Sequence, residues 1–166
     1  MTPYRFECSK CGKWHEGFPD MGYAMPFYAN EIQEPERAKR VFLTSDLCVI
    51  DNKDFFVRCI LRVPIKGTDA DFGWGVWSTL SQTNFMRYQK HYDEDMSGWE
   101  PMFGYLSNRL PEYPDTLSLK LSVQPQAKGA RPNLTLEPID HPLSLDQREG
   151  IALERVLRIV EPFLHV

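Results

Sequence analysis

Alternation of apolar and polar residues is clearest in the middle of the chain. In the run DFFVRCILRVPI (54–65), six apolar side chains share one face, and Arg58 and Arg62 share the other. The apolar set is Phe55, Val57, Cys59, Leu61, Val63 and Ile65. A period of two is typical of a half-buried β-strand. The run VFLTSDLCVI (41–50) precedes it across the turn-forming DNK, so the two runs predict a hairpin.

Similar strand patterns return later, with one helical pattern between them. The runs FGWGVWSTL (72–80), DTLSLKLSVQ (115–124) and NLTLEP (133–138) predict strands. The run SQTNFMRYQKHYD (81–93) instead predicts a helix with an apolar stripe and Ser81 as its N-cap.

The end of the chain predicts one long helix over residues 144–163. The sequence SLDQ is a capping-box signature, in which Ser144 can cap the first turn and Gln147 can reach back to it. The predicted buried stripe of this helix contains Ala152, Val156, Ile159, Val160 and Phe163. Its spacing of three and four residues fits one face of a helix.

Strands in runs with helices inserted late predict an α+β fold. We expect a mostly antiparallel sheet with helices on one face and an N-terminal segment resembling a zinc knuckle. A length of 166 residues fits a single domain over 1–166. Within it we expect a metal-knuckle segment (1–20), a sheet with an inserted helix (41–138) and the C-terminal helix (144–163).

Composition narrows the classes of function. Apolar residues make up 42% of the chain, which is enough to bury a core without disulfides. The net charge of −4 argues against a nucleic-acid partner, and no apolar run is long enough for a membrane span. The N-terminus lacks the pattern of a secretory signal, so we expect a cytoplasmic protein. In that compartment the four cysteines are expected to be thiols or metal ligands.

The stretch FECSKCGKWHEG (6–17) carries the main chemical signal. Cys8 and Cys11 have the C-x-x-C spacing of a zinc knuckle, and Gly12 suits the tight turn that follows. His15 is near enough to be a third ligand. Because a structural zinc takes four ligands, a distant residue must complete the set.

The parity of residues in the predicted strands separates the two remaining cysteines. Cys59 lies on the apolar face of its strand and is predicted to be core. Cys48 lies on the other face with Thr44 and Asp46, which makes Cys48 the better fourth ligand and Asp46 a weaker substitute. We therefore predict a zinc site of Cys8, Cys11, His15 and Cys48.

Two functions from different classes remain open. A closed site would be structural, in a binding or interaction module with a protein or peptide partner, and this is the preferred interpretation. A site with three protein ligands and a water would permit a zinc-dependent hydrolase, with Glu16 or Asp46 as the general base. A thiol redox module ranks third, because the C-x-x-C pair does not begin a predicted helix.

Other residues are weaker candidates for binding. Trp74 and Trp77 belong to the glycine-bearing strand, which could admit a ligand or partner, although aromatic side chains are usually core. His141 and Arg148 flank the start of the last helix and could border an anion site, or simply belong to a polar turn.

Several segments resemble a bacterial family known only as domain-of-unknown-function family 2199. They are CSKCGKWHEGFP, SDLCVIDNKDFFVRCILRVPI, FGWGVWSTLSQTNFMRY, FGYLSNRLPEYPDTLSLKL and LEPIDHPLSLDQREGIALER. The resemblance spans most of the chain and implies that Cys8, Cys11, His15 and Cys48 are family motif positions. The family pattern has a small residue at the position of Cys59, which agrees with the core prediction. The resemblance supplies no activity.

Overall fold

The two longest strands pair with each other at the centre of the sheet. A computed structural model describes residues 5–17 and 21–164. The strands are β1 Arg5–Glu7, β2 Trp14–Glu16, β3 Met21–Gly22, β4 Val41–Leu43, β5 Leu47–Ile50, β6 Asp54–Pro64, β7 Asp71–Leu80, β8 Met102–Tyr105, β9 Lys120–Gln124 and β10 Asn133–Leu136. The helices are α1 Phe27–Asn30, α2 Glu36–Arg40, α3 Gln82–Lys90, α4 Pro142–Glu149 and α5 Leu153–Val160, with a 3₁₀ turn at Glu161–Phe163. The chain therefore has the predicted α+β fold.

The main sheet has the strand order β3-β7-β6-β10-β9-β8. Its pairs are antiparallel except for β10 with β6 and β3 with β7. One edge of β6 pairs with β7 along its length. The other edge is shared, because β5 pairs with the first part of β6 and β10 pairs with it at Ile60.

The sheet curls until its last strand meets β7 again. Ser78 and Leu106 form an antiparallel bridge, and the Ser107 N–H donates to the Trp77 carbonyl at 2.8 Å. Gly104 permits this closure, because a Cβ there would collide with Ser78 and with the backbone of Thr79. The curled sheet thus brings together strands that are distant in sequence.

Each face of the sheet buries a hydrophobic cluster. The larger cluster takes the alternate residues of β6 from Phe55 onward, together with apolar residues of α3, α4 and α5. The smaller cluster takes the opposite parity and contains Ala29, Cys48, Ile50, Phe56 and Trp77. The three longer helices therefore share one cluster, and α1 contributes to the other.

Several local predictions are confirmed. β5 and β6 form the predicted hairpin, and Asp51 and Asn52 turn between them with positive φ angles of 53° and 52°. Ser81 caps α3 by accepting a hydrogen bond from the Asn84 N–H at 3.1 Å. Cys59 is fully buried in the larger cluster, as its parity predicted.

Two predicted elements are each divided in the structure. Residues 41–50 form β4 and β5, which fold back on each other and pair Val41 with Ile50. The predicted helix over 144–163 is two helices, because Gly150 has a φ of 96° and Ile151 pairs with Ile65 of the sheet. The sheet also begins earlier than residue 41, since β3 pairs with β7.

The cap of the last region also differs from the prediction. His141, rather than Ser144, is the N-cap of α4, and Pro142 occupies the first turn. Gln147 does not close a capping box. Its side-chain amide instead bonds the backbone of β10, accepting from the Leu136 N–H and donating to the Leu134 carbonyl. Within the described residues, no helix combines the length and apolar character that a bilayer crossing needs.

Candidate metal centre

The C-x-x-C motif lies at the tip of a small hairpin, which we call the knuckle hairpin (residues 5–17). Its strands β1 and β2 pair antiparallel, with Phe6 opposite His15. At the tip, the Cys8 N–H donates to the Lys13 carbonyl and the Gly12 N–H donates to the Cys8 carbonyl, each at 2.9 Å. Gly12 has a φ of +67°, a conformation that glycine adopts readily. The tight turn therefore fixes the positions of both cysteines.

This turn brings three possible metal ligands together, which we call the metal group: Cys8, Cys11 and His15. Their ligand atoms all lie within 4.8 Å of one another. The Cys11 Sγ and the His15 Nε2 are 3.4 Å apart. Cys8 is buried, His15 is partly buried and Cys11 is exposed. The group could therefore hold a metal ion at the edge of the molecule.

The residues around the metal group hold its ligands in place. The His15 ring stacks on Phe6, with ring centroids 5.6 Å apart and an interplanar angle of 27°. Ser9, between the two cysteines, donates from its N–H to Glu161 Oε1 at 3.2 Å and from its hydroxyl to Oε2 at 2.6 Å. Glu161 is itself buried. These contacts anchor the tip of the knuckle hairpin to the C-terminal 3₁₀ turn.

Cys48, the predicted fourth ligand, lies away from the metal group in the smaller hydrophobic cluster. Burial raises the pKa of its thiol to about 12. Cys48 lies on the predicted face of the sheet, but that face is covered by residues such as Ala29 and Trp77 and is not polar. Burial also raises the pKa of the Cys59 thiol. Both thiols therefore pack among apolar side chains in the described structure.

The two candidate general bases are also separate from the metal group. Glu16 follows His15 directly in β2, so its side chain points to the opposite face, where it pairs with Arg5 at 3.4 Å. Asp46 lies just before β5 and accepts hydrogen bonds from the Tyr92 hydroxyl at 2.6 Å and from Arg131 Nε at 2.8 Å.

The bonds to Asp46 also set its protonation. Burial alone would raise its pKa, but hydrogen bonds from Tyr92, Arg131 and Ser45 outweigh burial and hold the pKa of Asp46 below its usual value. The carboxylate therefore stays ionised at neutral pH and is a weak proton acceptor. Neither Glu16 nor Asp46 meets the geometric and chemical requirements of a base at the metal group.

The four remaining candidates occupy structural positions. Trp74 and Trp77 are fully buried, so neither presents a surface to a partner. His141 uses both ring nitrogens, because Nδ1 accepts from the Leu143 N–H and Nε2 lies 3.1 Å from the Asp115 carbonyl. Arg148 donates to the Ile139 carbonyl at 2.7 Å. The histidine and arginine fasten the loop before α4.

Residues that support these sites gave little signal in the sequence. Ser9 and Glu161 are separated by 152 positions. Tyr92 and Arg131 likewise reach Asp46 from 46 and 85 positions away. The only available hint was the short polar side chain of Ser9 between two cysteines. Such partners depend on tertiary contacts that periodicity does not report.

Comparisons with known proteins add a family but no activity. A family model described as "Uncharacterized protein conserved in bacteria (DUF2199)" matches residues 7–151. Neither the curated proteins nor the solved structures include a match to this chain. The matched range contains the whole metal group.

Proposed function

The chain belongs to DUF2199, a family of uncharacterised bacterial proteins, and from that premise we propose that it is a zinc-binding module whose zinc is structural. The proposed ligands are Cys8, Cys11 and His15. The observation that carries the proposal is the gathering of these three side chains within 4.8 Å at the tip of the knuckle hairpin.

The chemistry of the donor set favours zinc. Two thiolates and an imidazole form the mixed sulfur and nitrogen set that zinc prefers, whereas magnesium and calcium prefer oxygen ligands. The described residues supply three of the four ligands of a tetrahedral site. The ion would join the two strands of the hairpin across its turn.

A structural role accounts for the surroundings better than a catalytic one. A three-ligand zinc site can activate a water, and this is what a hydrolase would require. Catalysis would also need a nearby group to accept a proton, but Glu16 points to the other face and Asp46 is ionised and already bonded. The zinc-dependent hydrolase remains the second candidate, because a set of three protein ligands leaves the fourth position for a water.

A redox function is the weakest of the three. A reactive C-x-x-C pair usually begins a helix, whose N-terminus stabilises the attacking thiolate. Here Cys8 follows a strand and Cys11 lies in a turn, so that source of stabilisation is missing from the knuckle hairpin.

An interaction role would fall on β8 rather than on the buried tryptophans. Phe103 and Tyr105 are exposed on the same face of β8, with ring centroids 5.0 Å apart, whereas Met102 and Gly104 at the alternate positions are buried. Paired exposed aromatic rings suit a protein or peptide partner. We place the module in the cytoplasm, where cysteine thiols remain reduced and available to a metal.

Elemental analysis of the purified, zinc-replete protein tests the zinc assignment. We expect about one zinc per chain, lost in Cys8→Ser and in Cys11→Ser because each removes a thiolate. The matched control is Cys48→Ala, which removes a buried thiol outside the metal group and should retain the zinc. Full zinc content in both serine variants would contradict the assignment, and loss of zinc in Cys48→Ala would restore Cys48 as a ligand.

A further inference from the structure

A cavity lies where two strands begin on the same edge of β6. β5 runs antiparallel to β6 from the pair Leu47–Val57, and β10 runs parallel to it from the pair Asn133–Ile60. The two strands leave this point in opposite directions, and the residues before them complete the pairing, since the Arg58 N–H donates to the Asp46 carbonyl and the Ile60 N–H to the Pro132 carbonyl. Asp46, just before β5, and Arg131, shortly before β10, meet across the gap. The residues before β5 and β10 therefore border an opening beside this edge of β6.

We call this opening the β6-edge cavity. Its volume is about 470 Å³, within the range of small-molecule sites. The lining includes Asp46, Arg62, Tyr88, Tyr92, Gln126 and Arg131. Several polar groups thus converge on a space large enough for a small metabolite.

The charge of the lining favours an anion. Two guanidinium groups, Arg62 and Arg131, face one carboxylate, Asp46, in a chain whose net charge is −4. Arg131 donates to Asp46 through Nε alone, and its terminal amino groups donate to none of the described residues. Among the residues that the structure describes, Arg62 has only an exposed pair with Asp71 at 3.4 Å, which binds it weakly. Both arginines therefore retain donors for a ligand.

Tyr88 provides an independent indication that a ligand binds here. Its side chain lines the cavity with 2% of its surface exposed, yet its hydroxyl forms no hydrogen bond with any described residue. The neighbouring Tyr92, whose ring packs edge-on against Tyr88, has Asp46 as its partner. The hydroxyl oxygen is not one of the buried atoms that lack a partner, so it reaches the open space of the cavity, where it can donate to a group that enters.

We propose that the β6-edge cavity binds a small organic anion through a carboxylate or phosphate group, with Arg62 and Arg131 as cationic donors and Tyr88 as a hydroxyl donor. The ion pair between Asp46 and Arg131 positions the Arg131 guanidinium at the cavity wall. This pair and its bond from Tyr92 explain three of the lining residues as structural. They do not explain the Tyr88 hydroxyl, the outer donors of Arg131 or the open volume.

Titration of the zinc-loaded full chain tests this binding. The probes are inorganic phosphate and succinate, followed by ¹H–¹⁵N NMR. We expect saturable shifts for at least one probe, concentrated in residues 58–62, 88–96 and 126–133 and weak in the knuckle hairpin. Affinity should fall about tenfold in Arg62→Gln, which removes a charged donor, and about fivefold in Tyr88→Phe. The probe that binds more tightly assigns the oxyanion class.

Tyr88→Phe and a matched control separate a loss of binding from a loss of folding. Tyr88→Phe removes a hydroxyl that bonds nothing in the described protein, so it should leave stability unchanged or improve it. Tyr113→Phe is the matched control, because its hydroxyl bonds Asp146 outside the cavity and its loss should leave probe affinity unchanged. The proposal is overturned if neither probe binds saturably up to about 10 mM, a ceiling well above typical metabolite affinities. Binding that is unaffected by Tyr88→Phe overturns it equally.

Discussion

The knuckle hairpin and the main sheet place cysteine in different structural settings. Cys8 and Cys11 lie at a turn between strands of three residues each, where Phe6 and Cys8 are the buried side chains among residues 5–17. Cys48 and Cys59 lie in a sheet whose longest strands have 11 and 10 residues and bury most of their side chains. Apolar burial can therefore hold the sheet, but it can hold the knuckle hairpin only in part.

This difference indicates two sources of stability in one chain. A two-stranded hairpin has little stability of its own in water, and among its described residues this one adds only Phe6 to the larger cluster, so a metal can supply further free energy of folding. The sheet needs no such ion because its two hydrophobic clusters pack on both faces. We expect the two regions to respond independently to core substitutions and to metal removal.

The largest effect should come from Trp77→Ala in the sheet. Trp77 is fully buried in the smaller cluster, and its indole N–H donates to the Tyr23 carbonyl at 2.8 Å. Removing the ring leaves a cavity, so the free energy of unfolding in urea should fall by roughly 3–5 kcal/mol. Zinc content of the folded variant should not change.

The same substitution in the knuckle hairpin is its matched control. Trp14 is 62% exposed, and Trp14→Ala should alter the free energy of unfolding by less than about 0.5 kcal/mol. If Trp77→Ala releases zinc while the sheet remains folded, the two regions are coupled and the comparison between them does not hold.

The next largest effect should be on metal affinity, in Ser9→Ala. This variant removes the hydroxyl that donates to Glu161 at 2.6 Å and so loosens the turn between the two cysteine ligands. Residues that orient ligands typically alter metal affinity by about 10–100-fold, and we expect about tenfold weaker zinc binding. Competition with a chromophoric chelator measures it.

Lys10→Ala is the control for Ser9→Ala, because Lys10 is the exposed neighbour in the same turn. Its zinc affinity should match that of the wild type. Equal loss of affinity in both variants would mean that any change in the turn weakens the site, and that the bond from Ser9 to Glu161 has no special part.

Local patterns in the sequence predicted the parts of the fold that depend on neighbouring residues. Alternation predicted β6 and β7, the DNK turn predicted the hairpin, and Ser81 predicted the start of α3. The C-x-x-C spacing with His15 predicted a cluster that the structure does bring together. In each case the relevant contacts lie within a few residues or one strand pair.

Features set by distant contacts could not be predicted in this way. The parity of Cys48 gave its face correctly, but residues near Ala29, in a segment rich in helix breakers, make that face apolar. Gly150 stood inside an apparently continuous helical pattern, and only the pairing of Ile151 with Ile65 explains the break. The β6-edge cavity depends likewise on which edge of β6 is shared by β5 and β10.

A smaller effect, confined to the sheet, should appear in Tyr92→Phe. Because the folded-state pKa of Asp46 lies below its unfolded value of about 3.9, its ionised form adds stability that is complete above that pH and is lost as the pH falls. The variant loses one hydrogen bond to the carboxylate, so its free energy of unfolding at pH 7 should fall by roughly 1 kcal/mol.

Urea unfolding of zinc-free protein at pH 7 and pH 3 checks this, since removing zinc keeps the knuckle hairpin out of the pH response. The gap between Tyr92→Phe and wild type should narrow toward pH 3, as the pH falls toward the lowered folded-state pKa of Asp46 and a growing share of the carboxylate is protonated. Tyr105→Phe, which alters an exposed tyrosine, should match wild type at both values of pH. A gap of the same size at both would show that the charge of Asp46 is not involved.

The smallest effect should be that of Glu16→Gln in the knuckle hairpin. Glu16 and Arg5 form an ion pair of 3.4 Å between side chains that are largely exposed, and such pairs contribute little. We expect a change in unfolding free energy of less than about 0.5 kcal/mol.

Zinc affinity of Glu16→Gln should stay within about twofold of wild type, because successive side chains of β2 point to opposite faces and Glu16 is directed away from the metal group. A tenfold fall in zinc affinity would place the carboxylate at the ion and give the hydrolase its missing base. An unchanged affinity leaves three ligands with no carboxylate beside them, which is the arrangement expected of an ion that holds the hairpin together.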